Sequence, residues 1–277
     1  MAAIEKLPLV SAGVKARTQI AAGDAVRTAI IGMALVLFFL PLVASAAFGF
    51  TLPGQGISFE PLRDALAGTD IATQLMNTAK LAVLSTVGSL VLLVPTLLFL
   101  HLKAPNLLRF TEWLSVIPYV VPAIALVAGA NLFFRQAAPG FMVSLYSLVP
   151  FYMVLTLPLV YRSLDAGIRS IDLRTLWAAS ESLGAKPWQT LWQVVLPNLR
   201  GSLLGASLLS CAMVLGEYAV AALLLHSTFP VFMVQVGMNQ PRAAAALSFI
   251  TILVTWLLLA LLSRNSAPKT TSKGGSR

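Results

Sequence analysis

The chain has 277 residues, of which 58% are hydrophobic and only 10% charged, with a formal net charge of +9. Soluble domains carry about 25% charged residues, so this composition excludes a soluble fold and leaves no room for a second large soluble domain. The positive charge is read from its placement along the chain before nucleic acid is invoked.

Residues 1–27 are polar and basic and are expected to form a cytoplasmic amino-terminal tail. A transmembrane helix needs about 20 mostly apolar residues. The first such stretch covers about 28–50 and contains Ala44-Ser45-Ala46, which has the small-residue form of a signal-peptidase site. An uncleaved helix is the expectation, and both readings leave the amino terminus inside. Residues 51–76 form an outer segment with Gly54, Gly56, Glu60, Arg63, Asp64 and Asp70. A second span is expected at about 77–102. The third, at about 111–134, carries Pro118 and Pro122, which free backbone carbonyls and bend the helix against protein neighbours or a cavity. The fourth, at about 141–160, is expected to break at Pro150 and Pro158. The fifth and sixth follow at about 201–225 and 243–263. Residues 264–277 are rich in Ser and Gly and read as a disordered cytoplasmic tail. The expected fold is therefore all-α, a polytopic membrane protein with six transmembrane helices over 28–263 and a cytoplasmic loop at 165–200.

The charges agree with this order. With the amino terminus inside, only Arg63, Arg135 and Arg242 of the 19 basic residues lie on the outer side, and Lys80 lies in the second span. All the others are cytoplasmic, which fixes the orientation. This bias accounts for the basic balance without nucleic acid. The single cysteine, Cys211, lies in a hydrophobic run and reads as a packing residue.

Within the cytoplasmic loop, Ile171 to Pro197 carries Asp172, Arg174, Glu181 and Lys186, too many charges for hydrocarbon. Leu173, Leu176 and Trp177 repeat at i, i+3, i+4, the spacing of one helical face. Gly184 suits the left-handed residue that ends a helix, because it has no Cβ. Pro187 fits the first turn of a second helix. There Trp188, Leu191, Trp192 and Val195 repeat at i, i+3, i+4, i+7, and Pro197 stops or kinks it. The spacing predicts helix, glycine turn and amphipathic helix at a membrane face. Trp188 and Trp192 also suit anchors at the lipid interface.

This loop resembles the EAA loop of permease subunits of binding-protein-dependent ABC importers. The family pattern is Glu-Ala-Ala, three residues, Gly, nine residues, Ile, one residue, Leu-Pro. Ala179, Gly184, Val194, Leu196 and Pro197 stand at matching places. Ala178 stands where the family has Glu, Ser180 where it has the second Ala, and Glu181 is out of register. Pro118-Tyr119-Val120-Val121-Pro122, the run from Pro158 to Asp172, and Gly216-Glu217-Tyr218 are similar to further stretches of the family. The resemblance covers most of 77–263.

That resemblance implies the six-helix, MetI-like transmembrane domain of a type I ABC importer in the inner membrane of a prokaryote. It implies two ATPase subunits that bind ATP, a second permease subunit and an extracytoplasmic binding protein. It assigns Asp172, Leu176, Trp177, Ala178, Ala179, Ser180, Leu183, Gly184, Val194, Leu196 and Pro197 to ATPase coupling. The chain itself needs no cofactor and catalyses no covalent chemistry. The mechanism implied is alternating access, with ATPase closure passed through residues 171–197 into the spans.

Glu217 is the sharpest intramembrane residue, because a carboxylate in a bilayer is costly and faces a pathway or a partner. With Tyr218, Pro118 and Pro122 it is a candidate for the translocation path; the other reading is a carboxylate bonded between helices. Lys80 lies at a similar depth and either snorkels to the interface or pairs with Glu217. His101 and His226 are too far apart in topology to share a metal, and no G-x-x-x-x-G-K-[ST] phosphate loop occurs. A carboxylate in the path favours a cation, which makes a polyamine the expected solute. The same branches include aminoethylphosphonate, iron(III) and thiamine permeases. An ion-coupled secondary transporter is a rival, but it usually shows several intramembrane ionisable groups. A non-transporting scaffold is the second rival.

Overall fold

A computed structural model describes residues 7–54, 56–67 and 70–266. Residues 1–6 of the expected amino-terminal tail and 267–277 of the carboxy-terminal one lie outside the described residues. In chain order, α1 (Leu7–Phe50) is followed by a two-stranded hairpin, β1 (Thr51–Leu52) and β2 (Gly56–Ile57), and by α2 (Glu60–Leu66). Then come α3 (Ile71–Lys103), α4 (Leu108–Val120), α5 (Ala123–Ala137), the short α6 (Pro139–Val143) and α7 (Leu148–Ser170). The second half holds α8 (Leu173–Ser182), α9 (Pro187–Asn198), α10 (Arg200–Leu215), α11 (Ala219–Leu223), α12 (Phe229–Asn239) and α13 (Pro241–Ser266). Among the described residues the architecture is helical apart from the hairpin, which turns through Gly54 and Gly56 at positive φ.

Three helices are long and apolar enough to cross a membrane: Val26–Phe50 within α1, the whole of α3, and Leu145–Ser170. Two bent pairs, α4 with α5 and α9 with α10, raise this to five if each is one span. Over Pro241–Leu257, α13 is a shorter apolar helix. Six spans are thus not reached by length and hydropathy among the described residues.

The prolines explain where helices break. Pro122 pushes the residue before it out of the α region, and Val121 is extended at φ −84°, ψ 119°. The result is a 97° bend between α4 and α5, a break where a bend was expected. The fourth span also differs from expectation. It runs unbroken over Leu148–Ser170 and begins later than 141, with Pro158 inside it. Pro150 sits in its first turn, where a missing N–H costs nothing.

The described residues divide into two compact units, one of residues up to 65 with 240–257 and one of 66–239 with the described residues from 258 on. In the first, the end of α1 meets the start of α13 at close range. A Cβ on Gly49 would lie 2.5 Å from the Ala246 nitrogen. Arg242 donates to the carbonyls of Phe48 and Thr51 and lies over the Phe48 ring.

The second unit is built on α3, α7 and α10. One apolar cluster joins Leu97, Leu98 and Leu100 of α3 to Tyr161, Leu164 and Ile168 of α7 and Ala206 of α10. Another joins Leu81 to Tyr152, Val214, Val220 and Val231 nearer the opposite ends. Between them, Thr86 donates to Ser210 at 3.0 Å and Ser89 faces Thr156 at 3.4 Å, both buried. Such small polar residues let helices approach and bond in an apolar medium. The closest approach is between α7 and α10, where a Cβ on Gly167 would lie 2.4 Å from the Ser202 Cβ. We therefore expect Gly167→Ala to destabilise the chain by about 1–3 kcal/mol through overpacking. Thermal unfolding in detergent measures this, and adding Ser202→Gly should return most of the loss.

Candidate functional site

The segment after α7 is where the spans end and an exposed structure begins. Ile171 leaves the helix in extended conformation at φ −112°, ψ 147°. Asp172 then caps α8, its carboxylate accepting from the Thr175 N–H at 3.2 Å and the Thr175 hydroxyl at 2.7 Å. These two bonds hold the Asp172 carboxyl below its ordinary value of 3.8. Because the folded value is depressed, the cap is at full strength above about pH 4 and weakens as pH falls through the lowered value.

α8 stops through a glycine cap. Gly184 has φ +78°, a region that costs other residues about 1–2 kcal/mol. Its N–H reaches the Glu181 carbonyl at 2.8 Å, and the Ala185 N–H reaches Ser180 at 3.1 Å. This is the Schellman arrangement, which satisfies the last carbonyls of a helix. Pro187 then opens α9, with the Lys186 N–H held by the Gln189 side chain at 2.8 Å. The turn is locked from inside by a buried contact of Ser180 with Thr190, oxygen to oxygen 2.8 Å. Thr190–Val195 widen into a π turn before the chain bends by 74° into α10. Leu199, two residues after Pro197, sits at that bend.

The hairpin is fastened to the spans. Leu173, Val195 and Leu199 are at most 5% exposed and belong to the same cluster as Leu97, Tyr161 and Ile168. Trp177 packs against this cluster, and its indole donates to Glu181 at 2.8 Å. Leu176 is half-buried, as is Val194, while Ala178 and Ala179 are exposed. Leu183 is 88% exposed at the tip. Leu196 is half-buried and Pro197 exposed. Trp188 and Trp192 are exposed and stack edge to face at 5.3 Å.

A polar cluster at the base lies outside the sequence reading. His101, near the end of α3, meets Asp165 of α7 at 2.8 Å, and Asp165 also accepts from Arg169 at 2.7 Å. The Asp165–Arg169 spacing of i, i+4 was visible; the approach of His101 depends on helix packing and left no local signal.

The path candidates fall elsewhere in the second unit. Glu217 lies in the break between α10 and α11, where Oε1 accepts from the Val220 N–H at 3.1 Å and so caps α11. Oε2 is buried, and the Tyr152 phenol is the hydrogen-bonding group beside it. Tyr218 is 38% exposed. Val127 of α5 and Val220 of α11 share a cluster, so the double-proline segment and the Glu217 break lie in one region. Pro118 is half-buried in α4 and Pro122 exposed at the start of α5. Lys80 is exposed, and among the described residues no ion pair joins it to Glu217, which removes that pairing.

Residues 105–267 match the family described as "Binding-protein-dependent transport system inner membrane component". The chain is 27% identical over 256 residues to a spermidine/putrescine transport system permease protein PotC homolog of Mycoplasma pneumoniae, covering 82% of this chain and 85% of that one. It is 28% identical over 243 residues to the molybdenum transport system permease protein ModB of Mycobacterium bovis, covering 80% and 90%. A putative 2-aminoethylphosphonate transport system permease protein PhnV of Salmonella typhimurium is 27% identical over 160 residues, covering 55% and 60%.

The cap is testable by itself. Asp172→Ala should speed amide exchange at Thr175 and Leu176 while exchange in α7 stays unchanged. Hydrogen exchange read by mass spectrometry on peptides from 165–200 distinguishes the two.

Proposed function

The chain belongs to the family of binding-protein-dependent transport system inner membrane components, the non-catalytic permease subunits of ABC importers, and on that premise we propose that α8 and α9 couple an ATPase subunit to the spans. The carrying observation is one hairpin with two kinds of surface. Its base is buried among α3, α7 and α10, and its tip at Leu183 is open. A push on the tip therefore reaches the spans through packed side chains rather than through a tether. ATP binding closes the ATPase dimer, the hairpins move, and the path alternates between its two openings.

In this reading the hairpin is cytoplasmic, as are both termini, in the inner membrane of a prokaryote. The α4–α5 pair is one span, α10 with α11 forms another, and α13 completes six. A second permease subunit forms the other half of the path, and an extracytoplasmic binding protein delivers the solute to the outer segments. Ala178, at the family's Glu position, leaves the ATPase contact to Leu183 and the neighbouring exposed residues. For the solute we favour a polyamine, supported by the buried carboxylate of Glu217, which no ion pair neutralises among the described residues, and by the polyamine relative.

Gly184→Val should insert normally in the membrane but retain at least about fivefold less ATPase on co-purification, the effect of about 1 kcal/mol of strain at a left-handed position. Gly184→Asn, which tolerates that conformation, should lose less. Normal retention by the valine variant contradicts the coupling role. For the solute, Glu217→Gln keeps an oxygen for the Val220 cap and removes the charge. Polyamine uptake into cells should fall about tenfold or more, equivalent to about 1.4 kcal/mol. Unchanged uptake assigns Glu217 to capping alone.

A further inference from the structure

The exposed face of α4 carries Phe110, Trp113, Leu114 and Ile117, each at least 50% exposed. A groove of about 650 Å³ runs along it, headed by Asn106 and Arg109. A second cleft of about 380 Å³ shares Arg109 and Trp113 and adds Glu112, Val116 and Arg162 from α7. The tie between the helices is polar: the Thr111 and Tyr161 hydroxyls lie 3.1 Å apart, and Tyr161 also donates to the Leu108 carbonyl at 3.3 Å. Arg162 follows Tyr161 in the chain, so this tie brings both guanidiniums to one cleft. Among the described residues the ion pairs are those of Asp165 with His101 and Arg169, so Arg109 and Arg162 form none.

Arg162 lies eight residues before the end of α7, about 12 Å along the helix. Two unpaired guanidiniums thus sit at one end of an apolar groove that follows α4 toward the membrane interior. A charge bordering hydrocarbon is costly until it is paired, and guanidinium forks match phosphate oxygens. The groove is apolar beyond them, so the missing partner is an amphiphile. Glu112 lowers the charge of the cleft to +1, which favours a singly charged phosphodiester over free inorganic phosphate.

We propose that this cleft and groove bind an anionic phospholipid of the cytoplasmic leaflet, its phosphate between Arg109 and Arg162 and an acyl chain along Phe110, Trp113, Leu114 and Ile117. The assignment to that leaflet rests on the topology proposed above; the headgroup selectivity does not. Basic pockets between spans on the cytoplasmic side suit such headgroups.

The test uses the full chain in nanodiscs, with Trp177, Trp188, Trp192 and Trp256 replaced by Phe so that Trp113 alone reports. Quenching by brominated phosphatidylglycerol should exceed that by brominated phosphatidylcholine about fivefold in apparent affinity, the effect expected of one net basic charge at a lipid surface. The preference should vanish in R109Q/R162Q. Should the four replacements impair folding, native mass spectrometry of the unmutated chain provides the second measurement. It should retain phosphatidylglycerol over phosphatidylcholine, and R109Q/R162Q should not. Equal quenching by both lipids overturns the site. So does quenching by neither, which means protein covers the groove, or displacement by millimolar inorganic phosphate, which means a free-anion site. None of these measurements involves the ATPase, so their failure beside normal ATPase retention leaves the coupling reading standing.

Discussion

The left-handed turn at Gly184 is the constraint on which this molecule depends. A residue at φ +78° can reverse the chain in one step, and glycine does so without steric cost. The reversal lets α8 end with its carbonyls satisfied and α9 begin within three residues. It also brings Ser180 and Thr190 together as a buried hydroxyl pair. Without it, Leu173 on one arm and Val195 on the other could not both enter the cluster formed by α3 and α7. The hairpin is rigid because its two arms and its turn are each fixed by separate interactions.

The membrane imposes the second level of order. Hydrocarbon leaves backbone groups only helix as a solution, except where protein surrounds them. The chain breaks its helices at two such places. One follows Pro118 and ends at Val121, where proline sterics dictate the bend. The other lies at Gly216–Tyr218, where Glu217 supplies the acceptor that the first turn of α11 needs. Both breaks meet in the cluster around Val127 and Val220. The same carboxylate keeps its other oxygen buried beside the Tyr152 phenol.

Much of this was legible in the sequence because the signals were local. Apolar runs marked α3, α13 and the Val26–Phe50 part of α1, but not its start at Leu7, which lies in the stretch read as a polar tail; the triplet Gly184, Ala185, Lys186 before Pro187 marked the hairpin turn. The i, i+3, i+4 pattern located α8 but could not say which apolar residues face inward. Leu173 proved buried, Trp177 half-buried and Leu183 exposed. Proline was the least reliable guide. Pro122 broke a helix expected to bend, and Pro158 left intact one expected to break, because its outcome depends on neighbours that fill the gap. The His101–Asp165 contact, the Ser180–Thr190 pair and the joining of Arg109 to Arg162 require helices packed across long sequence separations. No periodicity encodes those.

Photo-crosslinking from the tip tests the central claim most directly. With p-benzoylphenylalanine at position 183 in cells that express the whole importer, irradiation should join the permease to its ATPase subunit. The same probe at Tyr119, exposed on α4, should not. If position 183 yields no ATPase adduct, or if a cysteine placed there instead, with Cys211 replaced, is labelled by a thiol reagent confined to the outer face, the hairpin is not the coupling element.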